Sequence, residues 1–137
     1  MNRHPGLAVL LLAAVACTNS SGPGGGGSAC APSATVACVT IQDFAFSPAS
    51  LPIKVGTTVQ WTNNGPSAHT TTSDAGAWNT GTLSAPSGGG QYGGGGAAGG
   101  SYHFVFTAPG TYGYHCALHP PSLPQYAGFT GTITVTQ

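Results

Sequence analysis

From Val36 onward, apolar side chains recur at every second position in short runs, and Gly or Pro closes most of them. Leu51, Ile53 and Val55 alternate around Pro52 and Lys54 before Gly56, and Val59, Trp61 and Asn63 continue the period after that turn. Tyr102, Phe104 and Phe106 alternate with His103 and Val105; Ala108-Pro109-Gly110-Thr111 turns the chain, and Tyr112 and Tyr114 lead into Cys116. Val36, Cys38 and Ile41 open a first strand, Phe44 and Phe46 alternate up to Pro48, and Ile133 and Val135 share one face of a closing strand from Thr132 to Thr136. A period of two belongs to extended backbone, whose successive side chains face opposite ways. No convincing helical period competes with it. The expected fold is therefore all-β, a single sandwich of short strands. Pro52 offers no N–H to a ladder, so its run belongs at a sheet edge or a strand start.

The 137 residues suffice for one domain of ordinary size. Residues 1–16 read as a signal peptide: a short basic opening, Met1-Asn2-Arg3-His4-Pro5, then an apolar stretch, Leu7 to Ala16, too short to span a bilayer. Ala14-Val15-Ala16-Cys17 admits two cleavages. Small residues at 14 and 16 suit a signal peptidase, and a cysteine directly after suits lipoprotein processing with Cys17 lipidated. The Gly/Ser-rich tether at 17–34 favours the lipoprotein reading, and an uncleaved signal-anchor is the alternative. The folded domain is then 35–137, exported to a bacterial periplasm or cell envelope. Residues 87–100, almost entirely Gly, Ala and Ser, form an insertion that cannot fill a core and is expected to be flexible.

Export decides how the four cysteines are read. Cys17 would carry lipid. Cys30 and Cys38, with seven residues between them, are candidates for a disulfide. Cys116 is left without a partner, unless it pairs with Cys30 or Cys38 instead. Charge is scarce: Lys54 is the only Lys or Arg beyond the signal region, and Asp43 and Asp74 are the only acids. Nucleic-acid binding lacks its basic stripe. Long-range steering of a partner lacks its field, so docking must lean on apolar contact.

The unpaired thiol has company. Cys116 and His119 lie three apart in Tyr112-Gly113-Tyr114-His115-Cys116-Ala117-Leu118-His119-Pro120, on a loop after a strand. His69, in Ser67-Ala68-His69-Thr70-Thr71-Thr72, waits at an upstream strand start. One thiolate and two imidazoles are the equatorial donors of a blue-copper electron-transfer site. His115 and His103 alternate to the opposite side of their strands and are read as surface or hydrogen-bonded residues. Trp61 and the Tyr/Phe alternation are read as core. Asn63 is read as a brace for the ligand loops, or as a plain turn residue. A Cys–His hydrolase would need an orienting carboxylate, for which only Asp43 and Asp74 exist. A structural zinc site would want a fourth ligand. Enzymatic chemistry is therefore not expected.

Five segments in order resemble the plastocyanin-like branch of the cupredoxins: Phe46-Ser47-Pro48-Ala49-Ser50-Leu51, Gly56-Thr57-Thr58-Val59-Gln60-Trp61-Thr62-Asn63, His69-Thr70-Thr71-Thr72-Ser73, Phe104 to Tyr112, and Cys116-Ala117-Leu118-His119. The resemblance implies a cupredoxin-like Greek-key β-sandwich. It implies one type 1 Cu(I)/Cu(II) ion on His69, Cys116 and His119, and single-electron shuttling between redox partners. A periplasmic copper carrier or buffer without a dedicated redox partner is the alternative. The family's weak axial methionine is missing, since Met1 is the only methionine. Register with Gly131 places that position on Phe129, which has no lone pair to donate; Gln125, in the longer loop from Pro120 to Gly128, is the other candidate. The carbonyl of Ala68 is a further weak neighbour. A monomer is expected, meeting transient partners at an apolar rim of Pro120, Pro121, Leu123 and Pro124 around His119.

Overall fold

The structure, a computed structural model, describes residues 29–88 and 96–137. The signal peptide, Cys17 and the middle of the Gly-rich insertion lie outside the described residues. Eight strands follow one another: β1 Val36–Gln42, β2 Ala45–Ser47, β3 Ser50–Lys54, β4 Thr58–Asn63, β5 Thr72–Ser73, β6 Ser101–Val105, β7 Gly110–His115 and β8 Thr130–Thr136. A single 3₁₀ turn, Pro124–Tyr126, is the only helical element among the described residues.

The strands form two four-stranded sheets, ordered β2-β1-β4-β6 and β3-β8-β7-β5. Each sheet is mixed: β1 runs parallel to β4 and β3 parallel to β8, and the remaining neighbours are antiparallel. The period-two runs account for the layering. In β8, Gly131, Ile133 and Val135 are buried while the four threonines at 130, 132, 134 and 136 face outward. β3, which carries Pro52, is an edge strand, as the missing N–H requires.

Between the sheets lies one core, with Val39, Ile41, Val59, Trp61, Phe106, Tyr114, Phe129 and Ile133 each at most 1% exposed. Burying each of these large side chains is worth on the order of 1.5–3 kcal/mol. Trp61 and Trp78 stack with ring centroids 5.2 Å apart, and the Trp78 indole N–H donates to Thr71 Oγ1 at 3.1 Å. Tyr114 lies over the backbone of Gly131, its register partner on β8; a methyl group at 131 would fall inside the phenol ring. Burial pushes the Tyr114 hydroxyl up to about 12.

Cys30 and Cys38 are joined in a disulfide, and Cys38 faces away from the core on β1. Among the described residues Cys116 is the free cysteine, and it is buried.

Two expectations need correction. The insertion at 87–100 is not loose along its whole length: Gly99 is buried, and a side chain there would strike the Asn63 carbonyl. Gly100 accepts from the Asn63 N–H at 2.9 Å and donates to Ser84 at 2.9 Å. Phe44 does not continue a strand with Phe46. It sits in the β1–β2 turn at φ 59°, in the left-handed region.

Candidate metal centre

The parallel pairing of β1 with β4 places Ile41 opposite Asn63, so both strands finish at the same end of the sandwich. β7 finishes there too, and β8 begins there, with His115 opposite Thr130. The β1–β2, β4–β5 and β7–β8 loops meet at that end. Asp43, His69, Cys116 and Phe129 all belong to these loops or strand ends.

His69 is not within a strand but forms an isolated bridge with Leu83, its N–H donating to the Leu83 carbonyl at 3.1 Å and its carbonyl accepting at 2.7 Å. Asn63 fastens the bridge. Its side-chain amide donates to the carbonyls of Ser67, Leu83 and Ser84 at 2.8, 3.0 and 3.1 Å, and its Oδ1 accepts from the Gly65 N–H at 3.0 Å. The brace read from the sequence is therefore present.

Three donor atoms meet. His69 Nδ1 lies 3.2 Å from His119 Nδ1, and Cys116 Sγ lies 3.8 Å from the former and 3.6 Å from the latter. This triangle fits one ion. First-row metal–nitrogen bonds of about 2.0–2.1 Å and metal–sulfur bonds of about 2.3 Å in a trigonal plane place nitrogens roughly 3.6 Å apart and sulfur roughly 3.8 Å from each. Without an ion the two nitrogens and the sulfur can only share protons among themselves, the tautomers deciding which atom donates. A soft cation would satisfy all three.

The donors differ in exposure. His69 and Cys116 are fully buried, and His119 reaches the surface. Burial lowers the His69 pKa, with the nearby His119 adding to the effect and Asp43 opposing it. The neutral ring therefore predominates, leaving a lone pair to donate. Cys116 Sγ accepts from the Thr70 backbone N–H at 3.4 Å, and the Thr70 hydroxyl lies 3.9 Å from it. The same hydroxyl accepts from the Ala117 N–H at 2.8 Å, tying the two ligand loops together.

Phe129 is buried, with its ring edge-on to His69 at 5.0 Å and packed on Phe46 at 4.6 Å. Gln125 is exposed on the 3₁₀ turn. His115 turns away from the triangle and binds Asp74 through Nδ1 at 2.6 Å, and His103 is exposed on β6. Both follow their alternation.

Sequence reasoning missed four contributors. Asp43 Oδ1 lies 3.1 Å from His69 Nε2. Phe44 and Tyr126 pack on the His119 ring at 5.2 and 5.0 Å. With Leu118, 49% exposed, they widen the expected rim of Pro120, Pro121, Leu123 and Pro124. Exposed apolar residues near a ligand loop were the available signal for Leu118. For Asp43 and Phe44 no local signal existed, because both reach the site only through the turn geometry.

Asp43, His69 and Cys116 together have the connectivity of a hydrolytic triad. Cys116 is 0% exposed, however, and no carbonyl carbon can reach its sulfur. The thiol is placed to bind something small and spherical.

Residues 34–136 match the family described as copper-binding proteins of the plastocyanin/azurin type. The chain is 39% identical over 90 residues to a plastocyanin of Scenedesmus fuscus, covering 66% of this chain and 85% of that one. Among solved structures it is similar to a purple cupredoxin from Nitrosopumilus maritimus, with 27% identity, a TM-score of 0.54, and coverage of 73% and 99% of the two chains. It is also similar to the reduced state of an amicyanin variant, with 26% identity, a TM-score of 0.51, and coverage of 77% and 86%.

Proposed function

Because the chain belongs to the plastocyanin/azurin family of copper-binding proteins, we propose that it is a one-electron carrier. His69, Cys116 and His119 hold a single type 1 copper. Copper bound there supplies a Cu(I)/Cu(II) couple. The observation that carries this reading is the donor triangle, whose spacing is that of three ligands on one ion.

The residues around the triangle do the rest. Asn63 and the His69–Leu83 bridge hold the buried imidazole against the rigid sandwich, so the donors move little when charge changes. The Thr70 N–H points at Cys116 Sγ and would fix the orientation of the sulfur toward a bound ion. Phe129 packs against His69 and would offer a bound copper no lone pair, which would favour the reduced ion; Gln125 would have to leave the surface to contribute an oxygen. His119 is the ligand nearest solvent and the natural exit for an electron.

Partners meet the protein transiently at the apolar rim of Phe44, Leu118, Pro120, Pro121, Leu123 and Tyr126. With Lys54 the only cation of the folded part, charge contributes little to that encounter. Small, short-lived interfaces suit the task. The carrier is a monomer and not an enzyme. It is exported and tethered to the membrane of a bacterial envelope through lipidated Cys17, a placement supported by the sequence pattern of residues 1–34 alone.

Two measurements test the reading. Copper-loaded, oxidised protein should show an intense visible band from thiolate-to-Cu(II) charge transfer, and film voltammetry should give a fast, reversible one-electron wave. A colourless oxidised protein with Cys116 freely alkylated defeats the copper assignment. A coloured protein with sluggish electron exchange defeats the shuttle and leaves a copper carrier.

A further inference from the structure

Among the described residues, the acids are Asp43 and Asp74, and each is spent on an imidazole. Asp74 serves the surface His115. Asp43 serves His69, which is wholly buried and belongs to the donor triangle. The turn that delivers it is unusual. Phe44, directly after Asp43, holds φ 59°, a conformation that side-chain-bearing residues seldom adopt and that costs on the order of 1 kcal/mol or more. Strain of this sort persists where the surroundings enforce it.

Those surroundings grip the carboxylate from three sides. Oδ1 lies 3.1 Å from His69 Nε2 and accepts from the Ser67 N–H at 3.3 Å; Oδ2 accepts from the Ser67 hydroxyl at 3.4 Å. Gly65 leaves the necessary room, since a Cβ there would stand 2.9 Å from both Asp43 N and Oδ1. Ser67 is two residues from His69, so one carboxylate fixes both the loop and the ring it carries.

We infer that Asp43 is a positioning residue that sets the tautomer of His69 and the charge balance of the centre, biasing it toward the oxidised ion. This rests on the copper reading above. A carboxylate accepting from Nε2–H keeps the proton on that nitrogen and the lone pair on Nδ1, the atom that faces Cys116 and His119. The charge argument is independent of the tautomer. One thiolate and one carboxylate sum to −2, which cancels Cu(II) and leaves Cu(I) with a net −1. Burial of the imidazole keeps water out of the space between, although the carboxylate itself is 33% exposed and partly screened. The bias opposes that of Phe129, whose lack of a donor favours the reduced ion.

The test uses the full chain and two substitutions. Asp43→Asn keeps an acceptor oxygen in nearly the same place and removes the charge; Asp43→Ala removes both. Nitrogen-15 NMR of the metal-free protein reads the His69 tautomer, and spectroelectrochemical titration of the copper-loaded protein reads the potential. The parent and Asp43→Asn should both carry the proton on Nε2, while Asp43→Ala shows mixed tautomers. Asp43→Asn should lower the Cu(II)-to-Cu(I) affinity ratio about tenfold, equivalent to about 59 mV upward for one electron. An Asp43→Asn potential equal to the parent's overturns the charge role, and a metal-free parent protonated on Nδ1 overturns the positioning role. If Asp43→Ala does not fold, Asp43→Asn still decides the charge role and the parent's own tautomer still decides the positioning role. A parent that binds no copper defeats the copper reading and the charge role together, and the tautomer is still read.

Discussion

The side-chain amide of Asn63 and the backbone N–H of His69 converge on one acceptor, the carbonyl of Leu83, at 3.0 and 3.1 Å. One oxygen thus joins the end of β4, the loop carrying a buried metal donor, and the segment after Trp78. Asn63 is 0% exposed, so its hydrogen bonds have no competitor in water.

Asn63→Ala should therefore damage both fold and centre. The Ser67 carbonyl would lose its donor, while those of Leu83 and Ser84 would keep only the N–H groups of His69 and Gly100, at roughly 1–3 kcal/mol for the buried polar group left unsatisfied. Urea unfolding of the metal-free protein should show a loss of about 3 kcal/mol. The copper-loaded variant should have a broadened visible band, because the His69 loop is no longer fixed. A variant with parental stability would show that the bridge to Leu83 suffices without the amide.

Cys116→Ala separates chemistry from packing. The side chain is 0% exposed and behaves as a small core hydrophobe, so its loss should cost only about 1–2 kcal/mol. Colour should vanish completely. A visible band persisting in this variant would place the chromophore elsewhere.

How far the sequence carried depends on the range over which each signal acts. His69, Cys116 and His119 were legible because thiol and imidazole are scarce and chemically distinctive, and because the strand period decides which of two adjacent residues, His115 or Cys116, faces the centre. The sandwich was legible from alternation for the same local reason. Trp78 was not, since Asp74 to Thr80 carries no period and only rings distant in sequence, Trp61 at 5.2 Å and Phe104 at 5.3 Å among them, give it a place. Phe44 was misread as strand because its alternation with Phe46 looks regular, whereas the backbone reverses hand at φ 59°. Asp43 depends on that reversal and on the pairing of β1 with β4, a contact spanning some twenty residues of chain that no local pattern reports.

His119→Ala should distinguish the electron exit from the scaffold. The ring is partly exposed, and its neighbours Phe44 and Tyr126 contact each other at 4.7 Å, so they can close over the gap. Stability should fall by about 1 kcal/mol. Electron exchange measured by stopped flow with a small redox protein should slow by at least a factor of 100, and added imidazole should restore part of the colour. Equal losses of stability and exchange would argue that His119 is mainly structural.

Phe129→Met tests the axial side. Phenylalanine and methionine have similar volumes, and the site is lined by Phe46, His69 and Phe44, so the swap should cost less than about 1.5 kcal/mol. A thioether there should act as a weak donor and stabilise Cu(II), lowering the potential by about 60 mV or more, a tenfold change in the affinity ratio. An unchanged potential would mean that residue 129 does not face the ion.

Gly131→Ala should be among the most damaging single changes remote from the donors. A methyl at 131 would occupy the volume of the Tyr114 ring, which is itself buried between Phe46, at 4.7 Å, and the tryptophan pair. The ring cannot swing outward without taking the end of β7 with it, and β7 leads directly into Cys116. Overpacking of this kind costs about 1–3 kcal/mol, and the rigid partner puts the expected loss at the upper end. Removal of the Cys30–Cys38 bond by the double substitution Cys30→Ser/Cys38→Ser, which leaves Cu(II) oxidised, provides the matched control. It releases a short loop worth about 2–3 kcal/mol on the opposite side of the sheet. Thermal melts of the two should therefore shift by comparable amounts. Only Gly131→Ala should also alter the visible spectrum, because only its strain is transmitted along β7 to the thiolate. A spectrum changed by disulfide removal but not by Gly131→Ala would show that the centre is coupled to β1 rather than to the β7–β8 pair.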